Sequence, residues 1–308
     1  MPIPGVIASS ISGHLIFPAA YFAGGLDTAY IAGIDKIAFS GDTKSTLAAT
    51  LTTARVSLAG AANSGTAAYF AGGFDTAYTS GIDKIAFSGD TKSTLAATLT
   101  TARRLAAGAA NSGTAAYFAG GEDGANISGI DKIAFSGDTK STLAATLSNA
   151  RAYLAGAANS GTAAYFAGGY NGASIAGIDK IAFSGDTKST LAATLSTARW
   201  ILAGAANSGT AAYFAGGYGT AYIAGIDKIA FSGDTKSTLA ATLSTARYAL
   251  AGAANSGTAA YFAGGEDTTA NIAGIDKIAF SADTKSTLAA TLTTAREYLA
   301  GAANSGVI

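Results

Sequence analysis

A 48-residue repeat constrains what this 308-residue chain can fold into more than any other feature of its sequence. The motif Tyr-Phe-Ala-Gly-Gly occurs six times, with its tyrosines at Tyr21, Tyr69, Tyr117, Tyr165, Tyr213 and Tyr261. Two further markers, Ile-Asp-Lys and Ala-Arg, recur with the same period, and one residue is inserted near Thr268 in the last copy. Periods of about 20–50 residues are typical of solenoids, propellers and repeat arrays.

Each period predicts four short β-strands and no helix, because glycine recurs too often for three helical turns. In the second copy we predict strands a, b, c and d at 58–62, 66–71, 82–88 and 93–99. Asn-Ser-Gly is expected to form the a–b turn. Gly-Asp-Thr-Lys is expected to form the c–d turn, with its aspartate capping its own turn amides.

Six sets of four antiparallel strands predict an all-β fold, a six-bladed β-propeller. The first strand of the chain is a b strand and the last is an a strand, so the N- and C-terminal strands are expected to close one blade together. The propeller is expected to form a single domain over residues 18–308, after an N-terminal arm at 1–17. A β-solenoid is the alternative, but its coils of about 20–30 residues are shorter than this repeat.

The order of these elements resembles the kelch repeat over residues 18–306. The match lies in the Gly-Gly pair, in the aromatic Tyr69 three residues before Gly72, and in Arg103. The tryptophan that kelch repeats usually carry in the fourth strand is missing here. The resemblance implies a protein-interaction or carbohydrate-related propeller. Some kelch propellers are copper oxidases, but these use Tyr, His and Cys ligands that the chain lacks.

Composition excludes several classes of function. The chain has no Cys and one His, which removes disulfide frameworks, thiolate zinc sites and histidine clusters. Its net charge is zero, so no polybasic surface is expected to bind nucleic acid. It has no run of 18 apolar residues, so no membrane insertion is expected. We therefore expect no enzyme activity, no metal and no cofactor. The small-residue, Cys-free composition is compatible with an extracellular, cell-surface or phage-associated protein.

The six copies differ mainly in two places, just after Gly-Gly and just after Arg. Antiparallel strands alternate in direction, so the b–c and d–a connections that contain these places lie on one face of the propeller. We call it the variable face, and the identical part of each copy the framework. Seven acidic residues and one basic residue vary, which gives the variable set a charge of −6 against +6 for the framework. Aromatic rings with scattered charge are typical of binding surfaces.

The residues predicted to bind a ligand on this face share these variable positions: Tyr30, Phe74, Tyr78, Arg104, Glu122, Tyr153, Tyr170, Trp200, Tyr218, Tyr222, Tyr248, Glu266, Glu297 and Tyr298. The alternative is drift in the loops of a recently duplicated gene. A ring of arginines is predicted near the propeller axis, made of Arg55, Arg103, Arg151, Arg199, Arg247 and Arg296. Such a ring suits an anion, and the favoured interpretation is that each arginine binds carbonyls or a framework aspartate such as Asp83.

Three hypotheses for function follow. The first is a non-catalytic scaffold that binds protein or glycan through the variable face. The second is a structural protein that assembles into a filament or oligomer, with residues 1–17 and the C-terminal strand mediating self-association. The arm at 1–17 otherwise packs on its own propeller. The third is a designed repeat scaffold, since the copies are nearly identical.

Overall fold

The computed structural model describes residues 18–304, which form 24 β-strands in six four-stranded antiparallel sheets. The a strands are β4 (Ala59–Asn63), β8 (Ala107–Asn111), β12 (Ala155–Asn159), β16 (Ala203–Asn207), β20 (Ala251–Asn255) and β24 (Ala300–Asn304). The b strands are β1 (Ala19–Ala23), β5 (Ala67–Ala71), β9 (Ala115–Ala119), β13 (Ala163–Ala167), β17 (Ala211–Ala215) and β21 (Ala259–Ala263).

The c strands are β2 (Ile34–Ala38), β6 (Ile82–Ala86), β10 (Ile130–Ala134), β14 (Ile178–Ala182), β18 (Ile226–Ala230) and β22 (Ile275–Ala279). The d strands are β3 (Thr43–Thr46), β7 (Thr91–Thr94), β11 (Thr139–Thr142), β15 (Thr187–Thr190), β19 (Thr235–Thr238) and β23 (Thr284–Thr287). We number the blades 1 to 6 from β1–β3, β5–β7 and so on.

These sheets are the blades of a six-bladed β-propeller, as the repeat predicts. Each a strand lies innermost and contacts the a strands of both neighbouring blades. Blade 1 joins the two ends of the chain, because β24 pairs with β1 in the register Ala20↔Ala303 and Phe22↔Gly301. The prediction of a blade closed by both terminal strands is confirmed. The predicted arm at 1–17 and the last four residues lie outside the described residues.

The a strands approach one another so closely that only glycine fits at their midpoint. A Cβ atom built on Gly108 would lie 2.2 Å from the carbonyl oxygen of Gly60, and the same clash recurs at every blade. The b strands are buried throughout, because neighbouring blades cover both faces of each sheet. The d strands, by contrast, are exposed at the outer edge.

Two framework side chains fasten each blade to the next. The Tyr21 hydroxyl donates a 2.7 Å hydrogen bond to Asp90 in the c–d turn of blade 2, and Lys36 Nζ lies 2.8 Å from the other carboxylate oxygen. The Tyr21 ring also stacks on Phe87, with centroids 4.9 Å apart. These contacts repeat around the ring and finish with Tyr261 donating to Asp42.

Two local predictions were wrong. The turn aspartate was expected to cap its own turn, but its carboxylate accepts from the tyrosine and lysine of the preceding blade instead. Strand d was expected at 93–99, but it covers Thr91–Thr94. It begins early because the turn is tight, with Asp90 at a positive φ of 52°. It ends early because the chain then turns inward to bury Leu95 and Leu99.

Candidate binding face

Main-chain hydrogen bonds bring the two variable stretches of each repeat together. In blade 2 the N–H of Val56 donates to the carbonyl of Phe74 at 3.0 Å, and the N–H of Phe74 donates back at 2.9 Å. Equivalent residue pairs bridge in all six blades, although their side chains differ. The bridge keeps the register of the a–b strand pair three residues beyond its last pair, Ala59↔Ala71, on the variable face. Side-chain identity is therefore free at both positions while the backbone stays fixed.

A closed ring of six main-chain hydrogen bonds surrounds the propeller axis on this face. Its members follow the bridged residue of each d–a connection: Ser57, Leu105, Tyr153, Ile201, Ala249 and Tyr298. Each N–H donates to the carbonyl of the preceding member at 2.8 to 3.0 Å, and the N–H of Ser57 closes the ring on Tyr298. All six have positive φ angles of 53° to 62°. This conformation is costly for residues with side chains, above all for β-branched Ile201.

An arc of aromatic rings runs over blades 4, 5 and 6 and ends at Tyr298 of blade 1. Trp200 is its centre, with ring centroids 4.9 Å from Tyr153, 5.4 Å from Tyr170 and 5.8 Å from Tyr218. The arc continues from Tyr218 to Tyr222, whose ring centroids are 5.5 Å apart. The next distances are 5.3 Å from Tyr222 to Tyr248 and 6.2 Å from Tyr248 to Tyr298. Tyr170 is the most open member, with 36% of its surface exposed. Seven of the predicted residues thus form one contiguous surface.

A second cluster lies across blades 1, 2 and 3. The Phe74 ring meets Tyr30 and Tyr78 at centroid distances of 6.3 and 5.6 Å. The Arg104 guanidinium lies 5.2 Å from the Phe74 centroid and 5.6 Å from that of Tyr78, a cation–π arrangement. It also pairs with Glu122 at 2.7 Å. Arg104 therefore contacts Phe74, Tyr78 and Glu122, while Tyr30 joins the cluster through Phe74.

Two predicted carboxyl groups meet where blade 6 joins blade 1. Glu266 follows the Gly-Gly pair of blade 6, and its Oε2 accepts a 2.6 Å hydrogen bond from Tyr248. Glu297 precedes β24 and is 8% exposed. Burial and the adjacent Glu266 carboxyl raise the pKa of Glu297 to about 7. Its Oε2 is buried and has no hydrogen-bond partner.

The predicted arginine ring is buried in the blades. Arg55 lies 3.0 Å from Asp83 and donates 3.1 Å to the carbonyl of Phe70, so the favoured interpretation with a framework aspartate holds. Burial opposes ionisation of Asp83, but hydrogen bonds from Thr52 and the charge of Arg55 lower its pKa overall. In the described part of the chain the arginines do not line the axial cavities, which measure about 80 Å³ beside the hydrogen-bonded ring and about 160 Å³ on the opposite face.

Sequence reasoning missed part of the site. Ser57, Leu105, Ile201 and Ala249 belong to the axial ring but were not predicted, because they are neither aromatic nor charged. Their variability between copies was the only signal. The contact between Glu266 and Glu297 was also missed, because it depends on closure of the ring by β24.

No family model and no curated protein matches this chain. Between residues 18 and 304, no helix is long and apolar enough to cross a membrane. Within the same range, no three His, Cys, Asp or Glu side chains are grouped as a metal site would require.

Proposed function

We propose that this protein is a non-catalytic, kelch-like binding scaffold that contacts a protein or glycan partner through its variable face. The observation that carries the proposal is the concentration of variation at positions whose backbone is fixed by main-chain hydrogen bonds. Such an arrangement lets side chains change while the surface that presents them keeps its shape.

The strained axial ring supports the same proposal. Glycine adopts positive φ at little cost, and no member of the ring is glycine. The chain instead places serine, leucine, isoleucine, alanine and two tyrosines there. Retaining side chains at a conformational cost is a feature of functional surfaces.

The aromatic arc supplies the contact area that a partner needs. Tyrosine and tryptophan offer large, rigid, amphipathic surfaces that lose little entropy on binding. Their half-buried packing against one another orders these rings before a ligand arrives, which lowers the cost of association.

Replacing Tyr170, Trp200, Tyr218 and Tyr248 together by alanine tests the proposal. Glycan arrays and immobilised protein libraries first identify a partner, and isothermal titration calorimetry then measures its affinity for the wild type and for each variant. The quadruple variant is expected to lose binding. The matched control replaces Lys92, Lys140, Lys188 and Lys236 by alanine, because these lie on the exposed outer strands. Equal binding by the two variants contradicts the proposal.

The second candidate function is self-assembly by exchange of terminal strands. It draws on the pairing of β24 with β1, which joins the two ends of the chain and has the same chemistry within one copy or between two. Light scattering across a concentration series separates the two functions. A strict monomer at high concentration removes this candidate and leaves the first unaffected.

A further inference from the structure

The Arg104 cluster shows how this face holds a cation. The guanidinium lies against the rings of Phe74 and Tyr78 while Glu122 pairs with it at 2.7 Å. Aromatic faces attract cations electrostatically, and a carboxylate adds charge-assisted hydrogen bonds. Here the cation comes from the protein itself, so the cluster is neutral.

The corresponding loop positions of blades 5 and 6 repeat this arrangement without the cation. Tyr218 and Tyr222 occupy the places of Phe74 and Tyr78, and Glu266 occupies the place of Glu122. Tyr248 stands where Arg104 stands in blade 3, with its ring 5.3 Å from that of Tyr222. The tyrosine hydroxyl satisfies one oxygen of Glu266 but brings no positive charge.

A second carboxyl group lies at the same place, again without a cation to pair with it in the described part of the chain. Glu297 of blade 1 lies beside Glu266, and among residues 18–304 neither forms an ion pair with a lysine or arginine. Glu297 is more than nine-tenths buried, and its Oε2 accepts no hydrogen bond. A buried acceptor without a donor is costly, and a bound donor would remove that cost. The pair is reached from solvent through Glu266, which is partly exposed.

We propose that Glu266 and Glu297, together with the rings of Tyr222 and Tyr248, form a subsite for a guanidinium or ammonium group of the ligand. This inference rests on the proposed function, because it names the chemical class that part of the variable face binds. The charge of the face agrees with it, since Arg104 is the only basic residue among the variable positions and is already paired.

Affinities of N-acetyl-arginine amide and N-acetyl-citrulline amide, measured by NMR titration, test the subsite. Citrulline has the shape of arginine without its charge, so the arginine probe is expected to bind about tenfold more tightly. The E266Q/E297Q variant is expected to abolish that preference. The control variant D27N/D123N removes two charges from exposed loops of the same face and is expected to keep it. Equal affinity for the two probes in the wild type overturns the proposal.

Further titrations with spermidine and with the peptide Gly-Gly-Arg-Gly-Gly distinguish a free polyamine from a protein side chain as the source of the cation. If the double variant misfolds, the single variants E266Q and E297Q replace it, and circular dichroism checks that each is folded. An unchanged preference for arginine in both folded single variants also overturns the proposal. A partner that is lost by the quadruple aromatic variant but kept by E266Q/E297Q contradicts the subsite and leaves the proposed function standing. Arginine preference that depends on both glutamates supports the subsite whatever partner is found.

Discussion

The two faces of this propeller are built by different kinds of bond. On the face with the a–b and c–d turns, framework side chains join the blades: Asn63 accepts from the Gly113 amide at 2.9 Å, and Tyr21 donates to Asp90. On the variable face main-chain hydrogen bonds join every pair of neighbouring blades, such as that from Leu105 to Ser57 at 2.8 Å, while side-chain contacts between blades, such as that from Asn126 to the Tyr170 carbonyl, differ from copy to copy. A side chain that holds the fold must keep its identity, whereas a side chain carried on a bonded backbone is free to change. The distribution of variation in the sequence follows from this difference.

The largest loss of stability is expected when a glycine at the contact between two a strands is replaced. Replacing Gly156 by alanine places a Cβ atom 2.2 Å from the Gly108 carbonyl oxygen, and every atom it meets belongs to the backbone and not to a flexible side chain. We expect a loss of about 4 kcal/mol or more in the free energy of unfolding. Urea denaturation measures it.

The control for that substitution is Gly177→Ala in the same blade. Its Cβ atom would meet only Ile175, at an ordinary distance of 3.7 Å. We expect a change below about 0.5 kcal/mol. Similar losses from the two substitutions would show that close packing of the inner strands does not set stability.

Substitution of two arginines compares a buried ion pair of the framework with an ion pair on the variable face. Arg199→Met leaves the Asp227 carboxylate, which Arg199 contacts at 3.1 Å, buried without its counter-ion, and is expected to cost about 3 kcal/mol. Arg104→Met breaks the pair with Glu122, which is partly exposed, and is expected to cost less than about 1 kcal/mol. Urea denaturation of both variants checks the order, and a larger cost for Arg104 would reverse it.

Two tyrosines of blade 4 allow the same comparison between framework and variable face, because a change to phenylalanine removes only the hydroxyl oxygen. Tyr165→Phe removes a 2.8 Å hydrogen bond to Asp234, and we expect a loss of about 1 kcal/mol. Tyr170→Phe changes an exposed ring on the variable face and is expected to leave stability within about 0.5 kcal/mol of the wild type. Thermal unfolding of the two variants is the measurement, and equal melting temperatures would contradict the distinction.

The smallest expected effect is a pH dependence on the variable face. Burial and Glu266 raise the pKa of Glu297 to about 7, so the folded protein binds more protons than the unfolded chain between about pH 4.5 and 7. The stability contributed by this group is therefore present at the acid end of that window and is lost as the pH rises through it. Framework aspartates such as Asp276, whose pKa is lowered, act in the opposite direction at lower pH.

The E297Q variant isolates the titration of Glu297 from that of the framework. The stability of the wild type relative to E297Q is expected to fall by on the order of 1 kcal/mol between pH 5 and 8, after allowance for solvent screening. Melting temperatures measured across this range check it. A constant difference between the two proteins would place the titration of Glu297 outside the window.

Most of the fold was predictable because one copy of the repeat encodes one complete blade. The period gave the number of blades, glycine and small residues gave the strands and turns, and strand parity gave the two faces. The outer strand was placed wrongly, because Leu95 and Leu99 suggest a strand by their apolarity. In the structure they cover neighbouring blades instead. The role of Asp90 was also wrong, since its partners lie 54 and 69 residues away in the chain.

The candidate face was predictable in outline but not in its chemistry. Differences between copies identified where it lies and most of its aromatic residues. They did not indicate that Arg104 is already neutralised by Glu122, or that Glu266 and Glu297 come together. Both facts depend on distances across blades, which the repeat does not encode. The positive φ angles of the axial ring follow from its hydrogen bonds, and no residue type there signals them.

The pairing of β24 with β1 also has a consequence for how the chain folds. All six a strands have the sequence Ala-Gly-Ala-Ala-Asn, and all six b strands read Ala-Ala-Tyr-Phe-Ala. Until the ring closes, β1 is therefore an equally good partner for the β24 of its own chain and for that of another. Refolding becomes a competition between cyclisation and chain joining, which dilution decides in favour of the monomer.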